Sequence, residues 1–115
     1  MQPEEIIKLI SQSQKTTPSI AFVSGDLKGL EIKNVKFVGG VDFGVLLGDY
    51  KEIEEVIESN KGRITGYHIE VRARNSAVPL ADLTKYDARI EPGAIIRDMV
   101  DIGKGAVIMM GAVIN

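Results

Sequence analysis

Three arginines and one glutamate in the second half of the sequence could bind an anion and move a proton. Arg74, Arg89 and Arg97 carry planar guanidinium groups, which can each grip a carboxylate through two parallel hydrogen bonds. Glu91 could act as a general base toward an attacking nucleophile. The ordinary alternative is that the arginines are solvated or paired with neighbouring acids, and that Glu91 is a solvent-facing carboxylate beside a turn. The residue types alone leave both interpretations open.

Several other chemistries lack the residues that they need. The sequence has no cysteine, which excludes a disulfide, a thiolate metal site and a cysteine nucleophile. His68 is the only histidine and falls on the polar face of a predicted strand, so a catalytic zinc site of three histidines cannot form within this sequence. The glycines between residues 39 and 48 match neither of the two common phosphate-binding motifs, GxGxxG and GxxxxGK followed by Ser or Thr. Turn formation explains these glycines better. We therefore predict no metal site.

Composition limits the fold and the partners. The 115 residues, 44% of them hydrophobic, are enough for one modest core, and the net charge of −2 favours neither nucleic acid nor an anionic membrane. The first residues lack the basic and apolar regions of a secretory signal peptide, and no apolar run is long enough to cross a membrane. We expect a cytoplasmic protein that binds neither nucleic acid nor membrane.

Residues 1–72 show the patterns of an α/β domain. Ile6, Ile7 and Ile10 form an apolar stripe at helical spacing and predict a helix over residues 3–14. Asp49 followed by Glu52 resembles a capping box that begins a second helix, which ends near residue 60 and has the apolar stripe Ile53, Val56 and Ile57. In the last strand, Tyr67, Ile69 and Val71 share the face that we expect to pack. The predicted strands are residues 20–23, 30–32, 35–38, 43–47 and 64–72. Residues 73–89 lack a period and are predicted to be a connector.

Residues 90–115 divide into groups of six. Isoleucine recurs at positions 90, 96, 102, 108 and 114, and a small or β-branched residue follows four positions after each of the first four. A six-residue period is typical of a triangular coil whose three sides are short strands, which predicts the first coils of a left-handed parallel β-helix. Ordinary hairpin strands are the alternative. About one and a half coils are present, so we expect the repeats to continue beyond residue 115.

The corners of this coil need backbone that can turn sharply. Gly93, Gly105 and Gly111 occupy three of the corners and permit positive φ at little cost. The remaining corner, at residues 97–99, has no glycine, and Asp98 is the residue there that we expect to visit the left-handed region.

Longer motifs add a family resemblance. The segments RNSAVPL at residues 74–80, ARIEPGA at 88–94 and IMMGA at 108–112 resemble the tetrahydrodipicolinate N-acetyltransferases, which are hexapeptide-repeat acyltransferases. The resemblance implies acetyl transfer from acetyl-CoA, used as a co-substrate with no bound cofactor, to tetrahydrodipicolinate in the diaminopimelate route to lysine. It also implies a homotrimer with active sites between neighbouring prisms and CoA-binding coils beyond residue 115. We expect the 115 residues to be inactive alone.

Within that resemblance, the candidate residues acquire roles. Arg74, Arg89 and Arg97 could bind the substrate carboxylates, Glu91 could be the base, and Asn115 could line the active region together with Met110, for which core packing is the alternative. The N-terminal domain could cover the active-site mouth or set subunit contacts. Two other functions stay open: another hexapeptide acyltransferase acting on a sugar or amino acid, and a non-catalytic module in which the prism only trimerises.

Overall fold

The computed structural model describes residues 2–12 and 14–115, which fall into two compact units. The first unit is Gln14–Ser76, and the second is Ala77–Asn115 with the described residues of Met1–Ser13. The helices are α1 (Pro3–Gln12) and α2 (Tyr50–Ser59), with a short 3-10 helix at Leu83–Lys85. The strands are β1 (Pro18–Gly25), β2 (Lys36–Gly39), β3 (Phe43–Asp49), β4 (Ile64–Val71), β5 (Arg89–Ile90), β6 (Ile95–Ile96), β7 (Val107–Ile108) and β8 (Val113–Ile114).

The first unit is a four-stranded antiparallel sheet covered on one face by α2. The strand order is β2-β3-β1-β4, and Ala21 in β1 pairs with Leu46 of β3 on one side and with Ile69 of β4 on the other. The α2 stripe predicted from sequence is confirmed, since Ile53 and Val56 are buried against β3 and β1. The buried core is Ala21, Val23, Leu27, Leu46, Ile53, Val56 and Ile64.

Strand β4 packs only in part. Ile69 is half-buried against the core as predicted, but Tyr67 and Val71 on the same face are exposed, so that part of the prediction is wrong. The reason lies in the sheet order: α2 packs on the central strands β3 and β1, whereas β4 is an edge strand. The predicted strand and its alternating faces are therefore observed, but α2 covers less of the β4 face than the sequence led us to expect.

Residues 30–32, which were predicted to form a strand, lie outside every strand of the described chain. Leu30 and Ile32 still pack on the core, so the apolar pattern reflected burial rather than strand pairing. The backbone between them is held by a side chain, because Asn60 Nδ2 donates to the Glu31 carbonyl oxygen at 2.9 Å. A short apolar run is compatible with either arrangement.

The predicted capping box is also wrong. Asp49 is the N-cap residue of α2, but its side chain makes no capping hydrogen bond. Its Oδ1 accepts instead from the Thr17 backbone N–H at 2.7 Å, and the Thr17 carbonyl oxygen accepts from the Tyr50 N–H at 2.9 Å. The start of β1 therefore competes successfully for the carboxylate that the local sequence assigns to the helix.

In the second unit, two strand pairs are parallel and offset by one predicted coil. Ile90 in β5 pairs with Ile108 in β7, and Ile96 in β6 pairs with Ile114 in β8, so partners are 18 residues apart. This offset equals three six-residue groups, and the parallel pairing contradicts the hairpin alternative, whose strands would be antiparallel. The five isoleucines of the repeat are all buried or half-buried. The left-handed β-helix itself remains a proposal.

Each corner of the repeat has a positive-φ residue at the fourth position of its six-residue group. Gly93, Gly105 and Gly111 have φ of 88°, 78° and 81°, as predicted for turning residues. At the corner without glycine, Met99 has φ of 66°, so the prediction that Asp98 would take the left-handed conformation is wrong. Met99 occupies the same fourth position of its group as the three glycines, which shows that repeat position outweighs residue preference here.

The predicted domain bounds, 1–72, 73–89 and 90–115, stay a prediction. Contacts group α1 with Ala77–Asn115 and keep residues up to Ser76 with the sheet. The backbones of Thr16 and Ser76 exchange hydrogen bonds of 3.0 and 2.6 Å, which holds the start of the predicted connector beside β1. Helix α1 ends at Gln12 rather than at residue 14, and Ser13 lies outside the described residues.

Candidate functional site

Arg89 and Glu91 form an ion pair on the second unit. The distance from Arg89 Nε to Glu91 Oε1 is 3.0 Å, and Arg89 Nη2 also lies 3.9 Å from the Met109 sulfur. Arg89 lies in β5, and Glu91 follows that strand directly, where its N–H donates to the Ile108 carbonyl oxygen at 3.0 Å. Residues two apart along extended backbone point to the same side. The guanidinium is mostly exposed, and the carboxylate is one-third exposed. The chain thus adopts the paired arrangement that the sequence offered as the ordinary alternative.

Arg97 is held by backbone contacts on both of its sides. Its Nη1 donates to the Val78 carbonyl oxygen at 2.8 Å, and its backbone N–H donates to the Ile114 carbonyl oxygen at 2.9 Å. The first contact ties the end of β6 to the segment after Ala77, and the second belongs to the parallel pairing with β8. A half-buried guanidinium fixed through one nitrogen is oriented for an anion more firmly than a solvated one.

A small groove in the second unit brings Arg97 and Asn115 together. It encloses about 190 Å³, and its remaining lining comes mostly from apolar side chains. The lining residues are Ile6, Ile10, Val78, Arg97, Asp98, Met99, Val100 and Asn115. Ile6 and Ile10 belong to the apolar stripe predicted for α1, so the stripe lines a groove rather than a closed core. Met110, the other residue predicted near the active region, is exposed.

Arg74 belongs to the first unit, where it lines an open groove of about 810 Å³. The groove runs past the start of α2 and the uncovered part of β4, with Tyr50, Ile69 and Val71 in its wall. Its charges are mixed: Lys15, Lys51 and Arg74 are cationic, and Asp49, Glu52, Glu54 and Glu55 are acidic. This mixture lowers the field that Arg74 presents to a dianion.

The connector is anchored by contacts that the sequence did not reveal. Lys85 Nζ lies 3.2 Å from Asp98 Oδ1 and 5.2 Å from the centre of the Tyr86 ring, while the Tyr86 hydroxyl donates to the Val100 carbonyl oxygen at 2.6 Å. The hydrogen bond from Lys85, and then one from the Met99 backbone, lowers the pKa of the Asp98 carboxyl. These contacts hold the 3-10 helix against the corner next to Arg97. Lys85 and Asp98 are 13 residues apart, and no repeat of the sequence relates the two positions, so their pairing could not be predicted from sequence.

His68 is an exposed residue, as predicted. Its Nε2 lies 3.5 Å from Glu70 Oε1 on the strand surface. Across residues 2–12 and 14–115, no group of three or more histidine and acidic side chains is arranged to hold a metal ion. Nor does this part of the chain contain a helix with the length and apolar character needed to span a membrane.

Most of the sequence, residues 1–83, matches the family described as "Tetrahydrodipicolinate succinyltransferase N-terminal". The chain belongs to this family. The match covers the whole α/β unit and reaches the 3-10 helix, and the resemblance drawn from residues 74–112 extends it into the repeats.

Curated relatives from this family carry an enzyme name. The chain is 67% identical over 110 residues to a 2,3,4,5-tetrahydropyridine-2,6-dicarboxylate N-acetyltransferase of Kosmotoga olearia, covering 96% of this chain and 47% of that protein. It is 56% identical to the protein of the same name from Thermotoga maritima, with the same coverage. It is 52% identical over 112 residues to the one from Petrotoga mobilis, covering 97% of this chain and 48% of that protein. The chain spans about half the length of the curated relatives it matches.

Proposed function

We propose that the protein to which these residues belong transfers an acetyl group from acetyl-CoA to tetrahydrodipicolinate, giving N-acetyl-2-amino-6-oxopimelate. The observation that carries the proposal is the identity of 52–67% with relatives named for this N-acetyltransferase activity, across nearly all of the chain. The family description names a succinyltransferase instead. The acyl donor is therefore the part of the proposal that most needs a direct test.

The proposed architecture is a left-handed parallel β-helix that continues after Asn115 and assembles as a homotrimer. Two observations support it: the 18-residue parallel offset and the left-handed corner at the fourth position of each group. In this arrangement, the coils after residue 115 bind acetyl-CoA, and the active sites lie between neighbouring prisms. The 115 residues alone lack those coils and are proposed to be inactive. Cytoplasmic localisation stays a prediction.

The proposed chemistry assigns the candidate residues as follows. Water first adds to the carbon–nitrogen double bond of tetrahydrodipicolinate, which gives the ring-hydrated or opened form with an N–H group. This nitrogen attacks the thioester carbonyl, a bond from nitrogen to carbon forms, the bond from carbon to sulfur breaks, and CoA leaves as a thiolate that is then protonated. Glu91 takes the proton from the attacking nitrogen. Arg89 and Arg97 are proposed to bind the substrate carboxylates, with Asn115 beside Arg97 in the groove. Arg74 lies in the first unit and stays a predicted carboxylate ligand. Arg97 is the strongest of the three candidates because its guanidinium is already oriented by the Val78 carbonyl.

A thiol-release assay on the full-length gene product tests this function. The assay supplies freshly generated tetrahydrodipicolinate with acetyl-CoA, and in parallel with succinyl-CoA. Turnover with acetyl-CoA alone is the expected result. Turnover only with succinyl-CoA would overturn the donor, and a folded trimer that turns over neither donor would favour a non-catalytic, trimerising module.

A further inference from the structure

The sheet of the first unit has an apolar face that α2 does not cover. Side chains alternate along each strand, so the neighbours of the buried Ala21, Val23 and Leu46 point to the opposite face. We call this surface the open face, and its apolar members are Ile20, Phe22, Val38, Phe43, Val45 and Leu47. Phe22, Val38 and Phe43 are 38%, 52% and 55% exposed. Large apolar side chains gathered on one exposed face indicate an interaction surface.

The strand register arranges the open face in rows with opposite charges at opposite edges. Lys36 of β2 pairs with Leu47, Leu47 with Ile20, and Ile20 with Glu70 of β4. This row therefore begins with a cation at one edge of the sheet and ends with an anion at the other. The next row runs from Val38 through Val45 and Phe22 to His68. His68 adds to the polar end of the face, where it contacts Glu70 at 3.5 Å.

We propose that the open face binds the open face of a second copy of this chain, sheet against sheet, about a two-fold axis parallel to the strands. This rotation lays β2 over β4 of the second copy and β3 over its β1, and it keeps each row opposite itself. Lys36 then meets Glu70 of the second copy twice, once at each edge. Leu47 packs over Ile20 of the second copy, and Val45 packs over its Phe22.

The charge pattern is the reason to choose a second copy as the occupant. A two-fold interface needs a surface that is complementary to itself, which means that each charge must face its opposite after rotation. Lys36 and Glu70 meet this condition because they end the same row on opposite edge strands. Packed sheets are usually rotated by about 30°, and the long lysine side chain can follow the displacement that this causes at the edge.

The size of the face predicts how strongly two copies bind. With strands about 4.8 Å apart and residues rising about 3.4 Å, the face is roughly 19 Å wide and 24 Å long. One such contact lies below the roughly 800 Å² per partner of a standard interface. A single pair is therefore weak, but several pairs acting between two multimers strengthen each other. The full-length protein is expected to form an assembly of twice the mass of its basic oligomer.

Charge reversal tests the inference through the mass of the full-length gene product in analytical ultracentrifugation. Lys36→Glu alone and Glu70→Lys alone each place like charges at both edges, so each should weaken doubling about tenfold or more. The double variant Lys36→Glu with Glu70→Lys should double like the unchanged protein. An equal mixture of the two single variants should also double, because each copy then meets its opposite charge. Lys61→Glu, in the turn after α2, is the matched control and should leave the mass unchanged.

Phe43→Asp provides a second test that does not depend on the ion pairs. The Phe43 side chain is 55% exposed at the start of β3, so the fold should tolerate the change, and circular dichroism checks this. Phe43 pairs with Ser24 and therefore lies over Ser24 of the second copy, so doubling should be lost because a carboxylate would be buried between the two sheets without a cation opposite it. An unchanged protein that never doubles would overturn the inference and would indicate another occupant, such as a different segment of the same chain. Doubling that survives Phe43→Asp, or single variants that the mixture fails to rescue, would also overturn it.

Discussion

The Asn60 side chain and the Glu31 backbone exchange two hydrogen bonds across 29 residues of sequence. Asn60 Nδ2 donates to the Glu31 carbonyl oxygen at 2.9 Å, and the Glu31 N–H donates to Asn60 Oδ1 at 3.3 Å. The same Nδ2 also donates to the Val56 carbonyl oxygen at 2.8 Å in the last turn of α2. One buried amide therefore ends the helix and takes the place of a strand partner for the segment that begins at Leu30.

Replacing this amide should destabilise the α/β unit. Asn60→Ala removes all three hydrogen bonds and leaves the Glu31 backbone groups without them, which should lower the free energy of unfolding by about 2–4 kcal/mol. Urea unfolding of the chain followed by circular dichroism measures the change. Lys61→Ala, next to it but exposed, should stay within about 0.5 kcal/mol of the unchanged chain. A loss at Asn60 no larger than at Lys61 would contradict the structural role given to the amide.

The corners of the repeat predict a contrast between two neighbouring glycines. Gly105 has φ of 78°, while Gly103 lies outside the positive-φ region, and an added Cβ would meet nothing within 4 Å at either position. Gly105→Ala should therefore cost about 1–2 kcal/mol through backbone strain alone. Gly103→Ala should be neutral or slightly stabilising, because alanine reduces the freedom of the unfolded chain. Chemical denaturation of both variants measures the contrast, and equal effects would show that the corner geometry is not the cause.

Sequence patterns predicted the elements whose signal is local or periodic. The six-residue spacing of Ile90, Ile96 and Ile108 predicted the 18-residue offset, because a period fixes which residues can pair. The stripe in α2 similarly identified the buried Ile53 and Val56. In both cases, the spacing of apolar residues along the chain is enough to predict which side chains are buried or which residues pair.

The errors occur where a distant residue competes with a local one. Asp49 has the type and spacing of a capping residue, but Thr17, 32 residues earlier, supplies the backbone donor that its carboxylate binds. Met99 takes the left-handed corner because its repeat position requires it, although methionine disfavours that conformation. For the candidate site, sequence offered Arg89 with an acidic partner as one alternative, but the orientation of Arg97 depends on a carbonyl 19 residues away.

The Lys85–Asp98 pair predicts a plateau in stability with pH. Hydrogen bonding from Lys85, and then from the Met99 backbone, lowers the pKa of Asp98, so its contribution is present above the ordinary carboxyl pKa and is lost as pH falls through the lowered one. Hydrogen bonding to Asp98 raises the pKa of Lys85, so the contribution of Lys85 is lost as pH rises through the raised value. Asp98→Asn should therefore unfold more easily than the unchanged chain at neutral pH and equally easily at strongly acidic pH. Thermal unfolding across pH measures the difference, with the exposed Asp101→Asn as control, and a difference that persists in strong acid would contradict the pairing.

Arg97→Lys in the full-length protein separates substrate binding from packing. Lysine keeps the charge and can still reach a carbonyl oxygen, but it cannot grip a carboxylate through two parallel hydrogen bonds. Loss of that geometry should raise KM for tetrahydrodipicolinate about tenfold, equivalent to about 1.4 kcal/mol, while KM for acetyl-CoA stays unchanged. Arg72→Lys, exposed at the end of β4, is the matched control and should alter neither constant. A rise in both KM values together with a lower unfolding temperature would instead show that Arg97 serves only to hold the Val78 carbonyl, because loosening that contact would disturb the whole groove rather than one substrate.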